Sequence, residues 1–469
     1  MNSTSMHDVD WTSLLHRFND LVRHRIEHSG DLPAAAPVDR RLAAIPTAEG
    51  CGLDAALSRF IADWMPGFSG SAGPRYFGFV TGGATPAALL GDWLASVVDQ
   101  NAMGSNDSIA PQLEAEALTL VRNLIGLPSE QAGTFVSGAT MANFVGLAIA
   151  RQWIGEQHGI DVAQAGLQAL PNGCAVFSGS PHSSAFKSLA MAGMGRDTLR
   201  IVPTLPGREA IDIDALKRQL EAHAQPCIVV ANAGTVNSAD FDDLCAILAL
   251  KDKFEFWLHV DAAFGAYAGC SNKYRHLVAG LGEADSITID AHKWLNVPYD
   301  CAVQFTRYPH LQNRVFNNSA SYLPGDYSPT NFVHLTPENS RRLRALPVWL
   351  TLQAYGRDAY ADMIERHCML AQTLSEWIDG DGNFERLSPT LLNGLCFALR
   401  TQEGLASEDI HSDYLRRLAD DGRVFLTPTR HQGKSAIRVS ICNWQTDIDD
   451  LQIAWAAMRE LHPATEHHP

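Results

Sequence analysis

Apolar residues along this 469-residue chain change their rhythm twice. Near the start, Trp11, Leu14, Leu15, Phe18, Leu21 and Val22 recur three and four apart, the period of one helix face. Residues 1–75 therefore read as a mostly helical segment, interrupted by a Pro/Ala-rich connector at 31–38. From Tyr76 to about Leu346 the pattern becomes short apolar runs alternating with helical stretches. The runs fall at 174–178, 199–202, 227–231, 257–260, 287–289 and 302–305. Such alternation predicts an α/β domain around a largely parallel sheet, with functional groups at the strand ends. From about Pro347 to Pro469, helices mix with strand-like runs at 394–399 and 436–441, as in a smaller α+β domain. The expected division is an N-terminal helical segment (1–75), a large α/β domain (76–346) and a small C-terminal domain (347–469).

Bulk properties narrow the function classes. The length suffices for two or three packed units, and 46% hydrophobic residues is ordinary for a globular chain. Lys plus Arg total 36 against 52 for Asp plus Glu, a formal charge of −16, and no basic run occurs. Nucleic acid and anionic membranes are thus not expected partners. No stretch of eighteen apolar residues predicts a membrane span, and the polar N-terminus lacks the order of a secretory signal. The nine cysteines are scattered, and none forms a Cys-x-x-Cys pair. That usage fits buried thiols in a reducing cytoplasm better than a disulfide framework or a metal site.

Four segments carry candidate chemistry. The first, Ser286-Ile-Thr-Ile-Asp290-Ala-His292-Lys293-Trp294, is a β-type run that ends on a lysine. A lysine just past a strand end sits where ligands collect in open α/β sheets, and one whose pKa is lowered is a carbonyl-binding nucleophile. Alone, it reads equally well as a surface loop lysine. The second, Trp257-Leu-His-Val260-Asp261-Ala-Ala263-Phe264, ends on an acid followed by small residues. A pyridine cofactor needs a carboxylate against its ring nitrogen and small residues where its flat ring lies. Taken singly, such an Asp is more often a helix cap or metal ligand. The third, Thr134-Phe-Val-Ser137-Gly138-Ala139-Thr140-Met141-Ala142-Asn143, puts small and hydroxylated residues at a helix start, which suits a phosphate or an ordinary N-cap. The fourth, Ser180-Pro-His182-Ser-Ser184, offers an imidazole able to stack on a flat ring, or one simply satisfied within the fold.

In this order, anion loop, histidine, acid and lysine, the chain resembles the group II pyridoxal-5′-phosphate-dependent amino-acid decarboxylases of fold type I. That family includes aromatic-amino-acid, histidine and glutamate decarboxylases. The resemblance runs from about Pro74 to Asn443. It rests on His-Lys-Trp after a strand, Val-Asp-Ala-Ala about thirty residues earlier and Ala-Gly-Thr at 233–235. Ser-Arg-Arg-Leu-Arg at 340–344 and Ile-Arg-Val-Ser-Ile-Cys at 437–442 extend it. The resemblance implies a large domain with a mostly parallel seven-stranded sheet, a small α+β domain and an N-terminal helical segment. It implies that Lys293 forms the aldimine with the cofactor, Asp261 pairs with the ring nitrogen and His182 stacks on the ring. Ala139, Thr140 and His292 are expected at the phosphate, Ala263 against the ring, and Thr235 at the ring or its hydroxyl. Asp290 stands where some members have Asn, and an ionised carboxylate beside a phosphate is repelled.

The implied reaction is decarboxylation of an L-amino acid to the amine. Decarboxylation with oxidative deamination to an aldehyde, transamination, another lyase reaction and a non-catalytic subunit remain alternatives. Tyr76, Phe77, Phe79 and Thr81 fall where the family builds its substrate pocket, and they favour an aromatic or apolar side chain. Gly82 and Gly83 are read as room for a bulky group. Arg438 is expected to be structural or to face a carboxylate. Residues between Leu323 and Ser340 resemble a mobile loop that carries a proton-donating tyrosine in the amine-forming enzymes. Counting back from Ser340, that position falls on Phe332, as in the aldehyde-forming branch. Tyr327 and His334 are the expected substitutes as proton donor. The resemblance also implies a homodimer, with the Trp11–Val22 stripe wrapping the partner.

Overall fold

The computed structural model describes residues 10–36, 50–104, 107–318 and 330–463. Seven strands form the central sheet: β1 (Ala132–Val136), β2 (Val176–Ser178), β3 (Leu199–Ile201), β4 (Cys227–Asn232), β5 (Phe256–Asp261), β6 (Ser286–Asp290) and β7 (Ala302–Thr306). Their order is β1-β7-β6-β5-β4-β2-β3. Pairs β3–β2, β2–β4, β4–β5 and β5–β6 are parallel, whereas β7 runs antiparallel to both β6 and β1. Every residue of β4, β5, β6 and β7 is buried. That is why β4 opens as an unbroken apolar run, Cys-Ile-Val-Val-Ala, and why the polar residues His259, Thr288 and Gln304 of β5, β6 and β7 are themselves buried. The helix Ala139–Gln157 packs across the sheet and is buried nearly all round.

A second sheet is antiparallel. It contains β8 (Phe384–Arg386), β9 (Gly394–Thr401), β10 (Gly404–Leu405), β11 (Thr427–His431) and β12 (Lys434–Ser440). The helix Ala345–Gly380 serves both cores. Its residues through Cys368 pack with the large sheet's core, and Leu370, Ala371, Leu374 and Ile378 pack with the second.

The stripe beginning at Trp11 does form a helix, Trp11–Glu27, with Asp10 accepting from the Ser13 N–H at 3.1 Å. Its apolar face is only partly covered in the single chain: Phe18 sets its ring edge-on to Trp93 at 6.0 Å, while Trp11 is 64% and Leu15 59% exposed, and no residue of the helix is fully buried.

One polar cluster braces the large core. Arg341 pairs with Glu114 at 2.9 Å, donates to the carbonyls of Phe135 and Ala102, and lies over the Phe332 ring. Both charged side chains are almost fully buried. Arg341→Ala leaves a buried carboxylate unpaired and is expected to cost about 3–5 kcal/mol in urea denaturation. A loss below about 1 kcal/mol would contradict this role.

Candidate active site

The carboxyl ends of β4, β5 and β6 meet the start of helix Ala139–Gln157, and a cavity opens between them. Ala139, His182, Asp261, Ala263 and Lys293 line it together with Val80, Asn232, Gly234, Val236 and Phe264. The four separated sequence segments therefore converge on one site, at the strand ends where an open sheet collects ligands.

Asp261 ends β5. It accepts from Asn143 Nδ2 at 2.9 Å and from the Ala263 N–H at 3.2 Å. His182 caps the helix Ser183–Met191, and its Nδ1 lies 3.2 Å from the Ser184 N–H and 2.7 Å from Ser184 Oγ. Because a backbone N–H can only donate, Nδ1 is the acceptor and the neutral ring carries its proton on Nε2. Burial holds the His182 pKa below the usual histidine value, against the pull of Asp261. Protonation of this ring is thereby disfavoured at neutral pH.

Asp290 ends β6 and is fully occupied. Its Oδ1 accepts from the Ala139 N–H at 2.6 Å, and its Oδ2 lies 3.0 Å from Lys293 Nζ. The carboxylate caps the helix that its own N-cap residue, Gly138, leaves without a side-chain bond, and it holds the lysine amine. His292 Nδ1 accepts from the Cys301 N–H at 3.2 Å, which puts the proton of the neutral ring on Nε2. That Nε2 lies 3.6 Å from Asp290 Oδ1.

Several expected residues lie elsewhere. Thr235 turns its hydroxyl into a buried cluster, donating to Glu209 Oε2 at 2.5 Å, and its neighbours Gly234 and Val236 line the cavity instead. Phe332 is 1% exposed and belongs to the large core beneath Arg341, so it does not line the cavity. His334 is buried, with Nδ1 accepting from the Asn318 N–H at 3.2 Å. Tyr327 lies outside the described residues. Phe77 is buried in the second core. Arg438 is buried, donates to the Val236 carbonyl at 2.8 Å, and has its pKa pushed down to about 10 by burial. Gly82 and Gly83 are not pocket space. A Cβ at Gly82 would lie 2.0 Å from the Lys293 carbonyl, and one at Gly83 would lie 2.6 Å from Asn443 Nδ2. Gly82 is there because the backbone at the lysine approaches it closely.

Other residues emerge only in three dimensions. Phe425 stacks on Tyr76 at 4.7 Å and faces Phe79 at 6.3 Å. Tyr299 reaches Thr81 Oγ1 at 3.2 Å and sets its ring 4.4 Å from that of His292. Asn143 and His259 lie directly behind Asp261.

A family model, the pyridoxal-dependent decarboxylase conserved domain, matches residues 55–400. This chain belongs to the pyridoxal-dependent decarboxylase family. The chain is 29% identical over 393 residues to the aromatic-L-amino-acid decarboxylase of Bacillus atrophaeus, covering 81% of this chain and 79% of the relative. It is 26% identical over 427 residues to the phenylacetaldehyde synthase of Arabidopsis thaliana, covering 87% and 86%. A crystal structure of Oryza sativa TDC with PLP and tryptamine superposes with a TM-score of 0.89 at 23% identity, over 98% of this chain and 99% of that one. The architecture is fold type I, and the reaction of this decarboxylase is pyridoxal-phosphate-dependent loss of CO2 from an amino acid.

The residues fit that cofactor. The cavity offers an amine (Lys293), a carboxylate whose protein partners are both N–H donors (Asp261), a neutral imidazole (His182) and a helix start. Ala263 and Gly234 keep its wall low. Among the described residues, no His/Cys/Asp/Glu group is arranged to hold a metal ion.

Two buried imidazoles predict a loss of stability in acid. Burial pushes the His259 pKa down to about 4 and that of His367 to about 3. An unfolded chain binds protons at these sites from about pH 6.5, so stability is fully present above that value and falls as pH drops towards 4. Between pH 7.5 and 5, urea denaturation should show a loss of about 2 kcal/mol per imidazole. An unchanged midpoint would contradict this.

Proposed function

We propose that this decarboxylase acts on L-amino acids with aromatic or apolar side chains and releases the amine. The observation that carries the substrate class is the aromatic group formed by Tyr76, Phe79 and Phe425. Phe79 immediately precedes Val80, which lines the cavity with Lys293, and Tyr299, bonded to Thr81, sets its ring against that of His292. Flat aromatic faces next to the cavity favour a ring over a charged side chain.

Bound pyridoxal phosphate supplies the sink for the electron pair left when CO2 departs. In this reading Lys293 provides the amine that attaches the cofactor. With the cofactor bound, Asp261 would keep a proton on its ring nitrogen and His182 would face the ring. Ala139, Thr140 and His292 meet the phosphate, at a helix start where first-turn amides lack intrahelical partners. Ala263 leaves room for the ring, and Arg438 braces the wall at Val236. The enclosing residues hold the reacting bond in one orientation and exclude water. Of the two expected proton donors, Tyr327 is the one proposed to deliver the proton to Cα, because His334 is buried and its Nδ1 accepts from the Asn318 N–H.

Release of CO2 from each of the twenty amino acids tests the substrate class. Aromatic substrates should lead, and preferential turnover of glutamate would overturn the reading. Phe425→Ala should raise KM for the preferred aromatic substrate about tenfold, the scale of one lost aromatic contact. An unchanged KM would remove this wall from the pocket. Amine, aldehyde and peroxide measured together test the product, because stoichiometric aldehyde with little amine would place the enzyme in the oxidative branch.

The partly uncovered Trp11–Glu27 face supports a homodimer with this helix against the partner, and the cysteines, none disulfide-bonded, support a cytoplasmic setting. A monomer that is fully active at all concentrations would contradict the dimer.

A further inference from the structure

Asn143 lies in the second turn of helix Ala139–Gln157 and is 2% exposed. Its side chain spends every polar function on one network. Nδ2 donates to Asp261 Oδ2 at 2.9 Å and to Ser184 Oγ at 3.3 Å, and Ser184 Oγ in turn lies 2.7 Å from His182 Nδ1. Oδ1 faces His259 Nε2 at 2.9 Å. One amide therefore joins the acid at the end of β5 to the histidine at the cavity wall.

The bonds behind it have a fixed direction. Trp257 Nε1–H is a donor only and bonds Ser286 Oγ at 2.8 Å. His259 is fully buried and neutral. Asn143 Nδ2 faces the Asp261 carboxylate, so Asn143 Oδ1 can only accept, from His259 Nε2–H; Nδ1 of the neutral ring then accepts from Ser286 Oγ at 2.7 Å. From Trp257 to Asp261, every N–H and O–H points towards the carboxylate. Chains of this kind polarise one another and favour negative charge at their end. Room for the imidazole has been made specifically: a Cβ at Gly146, one turn beyond Asn143, would lie 2.5 Å from His259 Cε1.

We propose that Asn143, supported by His259, is a positioning residue that locks Asp261 and His182 into one frame and thereby sets the proton affinity of the bound cofactor's ring nitrogen. The proposal rests on the reading of Asp261 as the acid that faces that nitrogen. The other charged groups around the frame are Lys293, Asp290 and Arg438, which all bear on His182. A network that only stabilised the core would lower the melting temperature when cut and leave the cofactor's titration where it was.

The experiment uses the holoenzyme and four variants, Asn143→Asp, His259→Leu, His259→Gln and Asp261→Asn. Two quantities are read: the dissociation constant for pyridoxal phosphate, and the pH midpoint of the bound cofactor's visible absorption. Asn143→Asp keeps the shape but replaces an N–H donor with a second carboxylate beside Asp261. It should weaken cofactor binding about tenfold and move the midpoint by about one pH unit. His259→Leu removes the donor to Asn143 and should shift both quantities in the same direction, while His259→Gln restores an N–H and should return them towards the parent. Should Asn143→Asp not fold, His259→Leu decides by the same readouts. The proposal is overturned if Asn143→Asp and His259→Leu match the parent in both quantities while Asp261→Asn shifts them. If Asp261→Asn also matches the parent, the assignment of Asp261 itself fails.

Discussion

Lys293→Ala is expected to lower CO2 release by at least about 10³-fold, roughly 4 kcal/mol of barrier, and to abolish covalent trapping of the cofactor by borohydride. Lys293 Nζ lies 3.0 Å from Asp290 Oδ2, just beyond the end of β6. Alanine deletes the amine and leaves the Asp290 carboxylate with only the Ala139 N–H and the nearby His292. The fold should survive, because the lysine makes no core contact comparable to its neighbour Trp294, which is fully buried and bonds His367 at 2.9 Å. The comparison is kcat with an aromatic amino acid, together with the visible spectrum, for parent and variant. Turnover within tenfold of the parent would remove Lys293 from the reaction.

Asp261→Ala should keep part of its cofactor and lose about 10²–10⁴-fold in kcat. Two effects add. The ring nitrogen loses the carboxylate that keeps it protonated, which weakens the electron sink. Asn143 Nδ2 and the Ala263 N–H also lose their shared acceptor, and buried donors left unpaired cost about 1–3 kcal/mol each. Asp261→Asn separates the two effects, because it restores an acceptor without the charge. It should regain stability in urea denaturation but little turnover. Near-parental turnover in either variant would show that the acid lies elsewhere.

Much of this was legible because the chemistry is written in short linear runs. The stretches 227–231 and 257–260 are largely apolar because both faces of β4 and β5 are covered, and the residue that ends β5 is the acid. Lys293 follows the same logic at the end of β6. What the chain order conceals is pairing across distance. β1 includes Gly133 and runs straight into a helix start, so it reads as a capping segment rather than a strand. Its antiparallel partner β7 lies about 170 residues away. Tyr76 and Phe425 stack although they are separated by most of the chain, because Gly78 lets the Phe425 ring approach: a Cβ there would lie 2.4 Å from it. Asn143 and His259 did leave a trace, as polar residues inside otherwise apolar runs, but nothing local tells a buried relay from an ordinary core histidine. Phe332 shows the converse error. A count along a loop placed it at a reacting position, whereas its ring is core beneath Arg341.

Every other role proposed at this site depends on Lys293 carrying the cofactor. Holoenzyme reduced with borohydride, digested and mapped by mass spectrometry tests it most directly. One modified peptide is expected, bearing the reduced pyridoxyl group on Lys293. The modification on any other lysine, with Lys293 unmodified, would contradict it.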